Sequence, residues 1–266
     1  LTLNSSGTLT LSGTNTYTGT TTISAGTLQL GNTSGTTLPS ASAISMSGGV
    51  LDLYGHNQTI GSLNSTGGSP VVTNSGSGDA VLTVGGSSPG SFGGVIQDGS
   101  TNKTGLTLSS SSGTGTLTLS GANTYSGVTT LTSGVLLAGV DTVGSLVSIT
   151  SSALGRGTLT FNGGTLSSSS TSARTFYNVL SFTGNATFGY STYTGQLTFG
   201  AAGDLGGSTR TLTVNTGTTA EFDGVLSSVT GSTGLTKAGA GILLLTNVNT
   251  YTGTTTINEG RLSLSG

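Results

Sequence analysis

The sequence predicts an all-β chain wound as a right-handed parallel β-helix, a β-solenoid. Three observations carry the prediction. Apolar residues alternate with small polar ones in short runs, the period-2 signature of strands with one buried face. A 24-residue phrase recurs three times without gaps, at 7–30, 115–138 and 241–264, and units of roughly this length build solenoids. Hairpin dipeptides between clean strands are scarce, the exceptions being "NGG" at 162–164 and "DG" at 98–99 and 223–224.

The elements follow in order. The skeleton of the repeated phrase reads G-x-L-x-L-x-x-x-N-T-Y-x-G-x-T-T-(I/L)-x-x-G-x-L. It aligns Leu9, Leu117 and Leu243; Asn15, Asn123 and Asn249; Tyr17, Tyr125 and Tyr251; and Gly26, Gly134 and Gly260. In the first copy, 14–30 encodes a corner and two walls of a coil, with Thr facing water and Ile23, Leu28 and Leu30 facing in. Asn-Thr-Tyr reads as the corner, because Asn accepts unusual backbone angles. The Tyr ring covers that corner while its hydroxyl reaches water. Between the copies run further alternating phrases: "GGVLDLYG" (48–55), "AVLTVGG" (80–86), "GLTLSS" (105–110), "GTLTFNGGTL" (157–166), "GQLTFG" (195–200) and "RTLTVN" (210–215). Each is bounded by Gly, Ser, Asn or Asp, which punctuate strands. The crossover rule gives the right hand. At about 21 residues per coil, 1–266 forms one solenoid domain of roughly twelve coils and about 60 Å length.

Composition narrows the function. Charged residues make up 5% of the chain and the net charge is −2, so self-repulsion does not hold it open. Lys103, Arg156, Arg174, Arg210, Lys237 and Arg261 are scattered, and no basic patch for nucleic acid exists. No apolar run approaches a membrane span and no basic amphipathic helix is present. Cysteine is absent, which removes disulfides and thiolate metal sites.

Candidate chemistry is thin. Glu221 and Asp223 in "AEFDG" stand at i and i+2 on one strand face, about 7 Å apart, and a carboxylate pair is what glycosidic hydrolysis uses. No further charged group clusters with them, so they read as solvated residues beside an inward Phe222. His56 is the only histidine, with no defensible triad spacing. Asp52, Asp79, Asp98, Asp141 and Asp204 are isolated in turns, where Asp caps its own backbone. Eight acids over the chain do not make a calcium site. "TLTL" and "TTTI" raise the idea of outward hydroxyl ranks, but T-x-T recurs clearly in only three places. Thr therefore reads as β-propensity plus hydration. A glycan platform of Tyr17, Tyr125 and Tyr251 fails because they lie several coils apart. Sequons at Asn4, Asn32, Asn57, Asn64, Asn102 and Asn185 match the number expected by chance. No catalytic, metal-binding or cofactor-binding residue is assigned, and no cofactor is expected.

The repeated phrase resembles the autotransporter-associated β-strand repeat of bacterial surface proteins, and 7–30 follows the family phrase nearly letter for letter. The connecting text "GGVLDLYGHNQTIGSLNSTGG" (48–68), "GSFGGVIQDGS" (90–100) and "GLTKAGAG" (234–241) is similar to the family as well. Thr20 and Val128 depart from it, as does 139–200, which bears on the coil count. The resemblance implies a parallel β-helix in a secreted passenger, an extracellular or cell-surface setting, and a spacer or scaffold role without a reaction. The expectation is therefore a structural stalk or fibre element, not an enzyme. The alternatives are an adhesin module binding glycans or a host surface and, third, a carbohydrate-active β-helix. "LTLNSSGTLTL" at the start and "LTKAGAGILLL" at 235–245 are one phrase, so the chain reads as an excerpt of a longer repetitive protein or a protomer that stacks end to end.

Overall fold

In the computed structural model, residues 1–31, 37–229 and 231–265 are described. Asn32, one of the sequons, lies outside them. Among the described residues the chain is all strand and turn, with no helix. It winds as a β-solenoid of about eleven turns. Three faces recur. The first carries Ala43–Met46, Ser62–Ser65, Gly90–Phe92, Thr116–Leu119, Val135–Ala138, Thr165–Ser168, Ala186–Phe188, Arg210–Val214, Leu235–Ala238 and Thr255–Ile257. The second begins with Val50–Asp52, Val71–Thr73 and Val95–Ile96 and resumes with Arg174–Phe176, Leu197–Phe199, Thr219–Phe222, Ile242–Leu245 and Arg261–Leu264. The third is unbroken from Gln58–Ile60 through Ala80–Val84, Thr104–Ser109, Thr129–Ser133, Leu159–Phe161, Leu180–Phe182 and Gly203–Asp204 to Leu226–Ser227. Strands of one face come one coil apart in the chain and run the same way, so their ladders are parallel.

The alternation sets the core. On the third face Ile60, Val84, Leu108, Leu131, Phe161 and Phe182 are in register as one inward column. One continuous cluster of buried side chains extends from Leu3 to Leu245. Each inward Leu or Phe contributes about 1.5–3 kcal/mol by leaving water. From Phe161 onward aromatic rings fill the tube: Phe161 stacks on Phe182 at 5.1 Å and Phe199 on Phe222 at 4.8 Å, while Phe188 meets Phe161, Phe199 and Phe222 edge-on.

Three features depart from the sequence expectation. The coil length is uneven: the first face advances 19 residues from Leu117 to Leu136 and 30 from Leu136 to Leu166. Longer coils leave about eleven turns where twelve were expected. Part of the longest coil is an antiparallel hairpin, Val143–Ser145 with Ser148–Ser151, which erupts from the wall in the diverged stretch. Nor do all threonines face water. Thr21, Thr104 and Thr129 are buried, as is Lys237, at an inward register position between Leu212 and Ile257.

The repeated glycine has a steric cause. Gly26 and Gly260 take φ of 69° and 70° as the chain turns from the first face to the second, and Gly134 takes 88° as it turns from the third face to the first. A Cβ on Gly134 would stand 2.7 Å from Ser110 Cβ and 2.8 Å from the Gly115 carbonyl oxygen. Only glycine has both the angle and the room.

Candidate functional site

The repeated Asn-Thr-Tyr builds a corner, by a different route from the one its residue types suggest. Positive φ is confined, among non-glycine described residues, to Tyr54 and Ser191, so none of the three Asn uses a left-handed backbone. Their amides instead tie coils together. Asn15 donates to the Thr37 carbonyl at 2.8 Å. Asn123, fully buried, accepts from Ile96 N–H on one side and donates to the Ala153 carbonyl on the other, both at 2.8 Å. Asn249 accepts from Leu226 N–H at 2.7 Å.

The tyrosines likewise depart from expectation. In all three copies the hydroxyl meets the Thr four residues on: Tyr17 with Thr21 at 2.6 Å, Tyr125 with Thr129 at 2.6 Å and Tyr251 with Thr255 at 2.7 Å. Four residues carry the chain round the corner, so ring and threonine close it as a pair. At the middle copy the pair is sealed, and Thr129 Oγ1 donates on to the Leu154 carbonyl at 2.8 Å. Burial pushes the Tyr125 phenol well above its ordinary range, and the bond to Thr129 only partly offsets this.

Glu221 and Asp223 do not share a task. Glu221 Oε2 accepts from Gln196 Nε2 at 2.6 Å and Thr198 Oγ1 at 3.0 Å, on the preceding coil. Asp223 Oδ1 accepts from Thr246 Oγ1 at 2.7 Å, on the following one. Phe222 between them is buried. His56 borders an open cleft of about 660 Å³ with Tyr54, Ser75, Ser77 and Asn102. Asp52, four residues earlier, is buried and committed to Tyr54 N–H, Ser75 N–H, the Ser75 hydroxyl and Gln29 Nε2. It cannot also orient the imidazole.

Each remaining aspartate reaches a neighbouring coil: Asp79 accepts from Lys103 N–H, Asp98 from Ser126 N–H, Asp141 from Thr175 N–H and Asp204 from Val229 N–H. Asp52 and Asp204 also cap their own turns, at Tyr54 and Gly206. Sequon amides do the same work: Asn57 accepts from Val81 N–H, Asn64 from Ser91 N–H and Asn185 from Thr211 N–H, while Asn102 donates to the Gly76 carbonyl. Asn4 is exposed on the first strand. Among the described residues no three His, Asp or Glu side chains come together as a metal site.

Two arrangements were not legible in the sequence. Thr59, Thr83, Thr107, Thr130, Thr160 and Ser181 form a single outward hydroxyl column on the third face. The position two residues earlier holds Val81, Gly105, Val128, Thr158 and Val179, so the rank is one column wide and no T-x-T array forms. The second is Lys237, whose Nζ donates to the carbonyls of Ala238 (2.8 Å), Gly239 (2.5 Å) and Glu259 (3.2 Å) at a corner. Burial lowers its affinity for the proton, against the opposing charge of Glu259. The recurring text around each element gave no sign of either, because both depend on which coil lies above which.

Residues 1–30, 112–138 and 235–264 match the family model described as passenger-associated-transport-repeat. These segments contain the three predicted copies and begin earlier than each, so that "LTLNSS" and "LTKAGA" are included. No curated protein and no solved structure matches the chain.

Proposed function

From the match of three segments to the passenger-associated-transport-repeat model, we propose that the chain is a structural length of a secreted or cell-surface passenger, a stiff stalk or fibre element with no reaction of its own. One observation supports this most: the polar side chains that could have formed a site are spent between coils. The Asn15, Asn123 and Asn249 amides, the Asp79, Asp98 and Asp141 carboxylates and Glu221 all bond a neighbouring turn. That is the chemistry of a rod reinforced along its axis. In this reading further coils, from the same polypeptide or another copy, lengthen the rod by the same parallel ladder.

Small-angle scattering on the 266-residue chain tests it. About eleven turns at roughly 4.8 Å each predict a rod near 50 Å long, with a pair-distance distribution skewed to a long tail. A symmetric, globular distribution would remove the stalk reading.

A further inference from the structure

At one corner of the rod the polar side chains are not all spent between coils. The turns 53–57, 74–79 and 97–103 each lead from the second face to the third, on three successive coils. Together they border the open cleft of about 660 Å³, through Tyr54, His56, Ser75, Ser77, Thr101 and Asn102. Tyr54 holds φ of 49° and is 43% exposed. A left-handed backbone is a genuine outlier for so bulky a residue, and glycine would take it without steric cost. Such strain persists only where the surroundings enforce it, and it clusters at functional positions. Here the buried Asp52 carboxylate accepts from Tyr54 N–H at 3.0 Å and from Ser75 N–H at 2.9 Å. The buried Asn74 amide accepts from Gly55 N–H at 2.6 Å and donates to the Gly78 and Lys103 carbonyls at 2.7 and 2.9 Å. Two buried side chains thus fix all three turns, and the cleft is preorganised.

What this frame presents to solvent is a polar surface with one aromatic ring. Among the described residues the Tyr54 hydroxyl, the His56 ring and the Ser77 hydroxyl have no hydrogen-bond partner within the chain. No Lys, Arg, Asp or Glu side chain borders the cleft, so it holds no fixed charge to pair with phosphate, nucleic acid or an ionised sugar. Nor is a strand edge free beside it. Val71–Thr73 pairs on both sides, with Val50–Asp52 and Val95–Ile96, which closes the route by which an extended peptide adds a strand. We propose that this corner is a binding subsite for a neutral glycan. One C–H face of a pyranose ring lies on the apolar face of Tyr54, and the sugar hydroxyls exchange hydrogen bonds with His56, Ser75, Ser77 and Thr101. A β-linked, all-equatorial sugar fits best, because its ring faces carry only C–H groups. Three corners at roughly 4.8 Å spacing span about 10 Å, the length of a disaccharide unit. The cleft is open, so the affinity is weak, with Kd on the order of 1 mM. The subsite does not depend on the stalk reading, because a rod without it would still scatter as a rod.

His56 is the only histidine, so in the full 266-residue chain a single imidazole signal in a carbon-edited NMR spectrum reports on this cleft alone. Titration with cellopentaose or chitopentaose at fixed pH should shift that signal saturably, with half-saturation on the order of 1 mM. Tyr54→Gly suits the backbone angle and removes the ring. It should weaken binding at least about tenfold, with the circular dichroism spectrum unchanged. Tyr54→Phe keeps the ring and should retain most of the affinity. If Tyr54→Gly perturbs the fold, Thr101→Lys makes a second test: the position is exposed, and a lysine there crowds the cleft and should also abolish the shift. No saturable shift up to about 10 mM sugar, or one that survives Tyr54→Gly unchanged, overturns the proposal. So does an equal response to oligogalacturonate, or a response to a Gly/Ser-rich peptide and not to the neutral sugars.

Discussion

Thr129 is the residue on which the corner pair can be tested most sharply. The Thr129 hydroxyl donates to the Leu154 carbonyl, so the Tyr125 O–H donates to Thr129, and the relay is sealed from water. Tyr125→Phe removes one donor and leaves Thr129 bonded to Leu154, at a cost of about 1 kcal/mol. Thr129→Val orphans two buried groups, the phenol and the carbonyl, each worth about 1–3 kcal/mol, so about 2–6 kcal/mol in all. The double variant orphans only the carbonyl and should be more stable than Thr129→Val alone by about 1–3 kcal/mol. In the third copy Thr255 is exposed, water replaces the partner, and Thr255→Val should stay within about 0.5 kcal/mol. Urea titrations followed by far-UV circular dichroism measure these differences. A double variant no better than Thr129→Val, or equal costs at 129 and 255, would refute the relay. The pair also predicts a pH effect. The folded phenol titrates above its ordinary value of 10.0, so its contribution is present below pH 10 and is lost as pH rises beyond it. Tyr125→Phe should flatten that alkaline decline.

Two further outcomes follow from the corners. Gly134→Ala, forced to a left-handed φ and against Ser110, should cost about 2–5 kcal/mol in the same titration. Lys237 titrates below its ordinary 10.5 because burial disfavours the ammonium. Between that lowered value and 10.5 the unfolded chain holds the proton and the folded one does not, so stability should rise with pH there, and a thermal melt series on Lys237→Met should lose the slope.

The sequence carried the in-plane half of the fold. Leu28 and Leu30, or Leu106 and Leu108, declare an inward face by alternation alone, and the repeated glycine declares a turn. It carried less of the axial half. Which residue sits above which depends on coil lengths that range from 19 to 30 residues, and no local pattern fixes them. For that reason Asn123 and Asp98 read as turn formers when they also bridge coils, and no local pattern announces the Thr59–Ser181 column. The hairpin at 143–151 is not legible, because Leu146–Val147 carries no turn signal. The Tyr–Thr pairs are legible, since a Tyr and a Thr stand four apart in all three copies.

The axial half is also what the proposed stalk role draws on. In a parallel solenoid the ladder hydrogen bonds point along the rod, so a coil is lost by peeling from its neighbour rather than by sliding past it. A peeled coil exposes its inward Leu and Phe at about 1.5–3 kcal/mol each. It must also strand the Asn and Asp side chains that bond across the gap, such as Asn123 between Ile96 and Ala153. Charge contributes little, since the described residues hold two ion pairs, one of them with a half-exposed partner. Salt and moderate pH therefore have few groups on which to act. A rod with these properties keeps its shape in an uncontrolled medium, which is what an element displayed outside a cell requires.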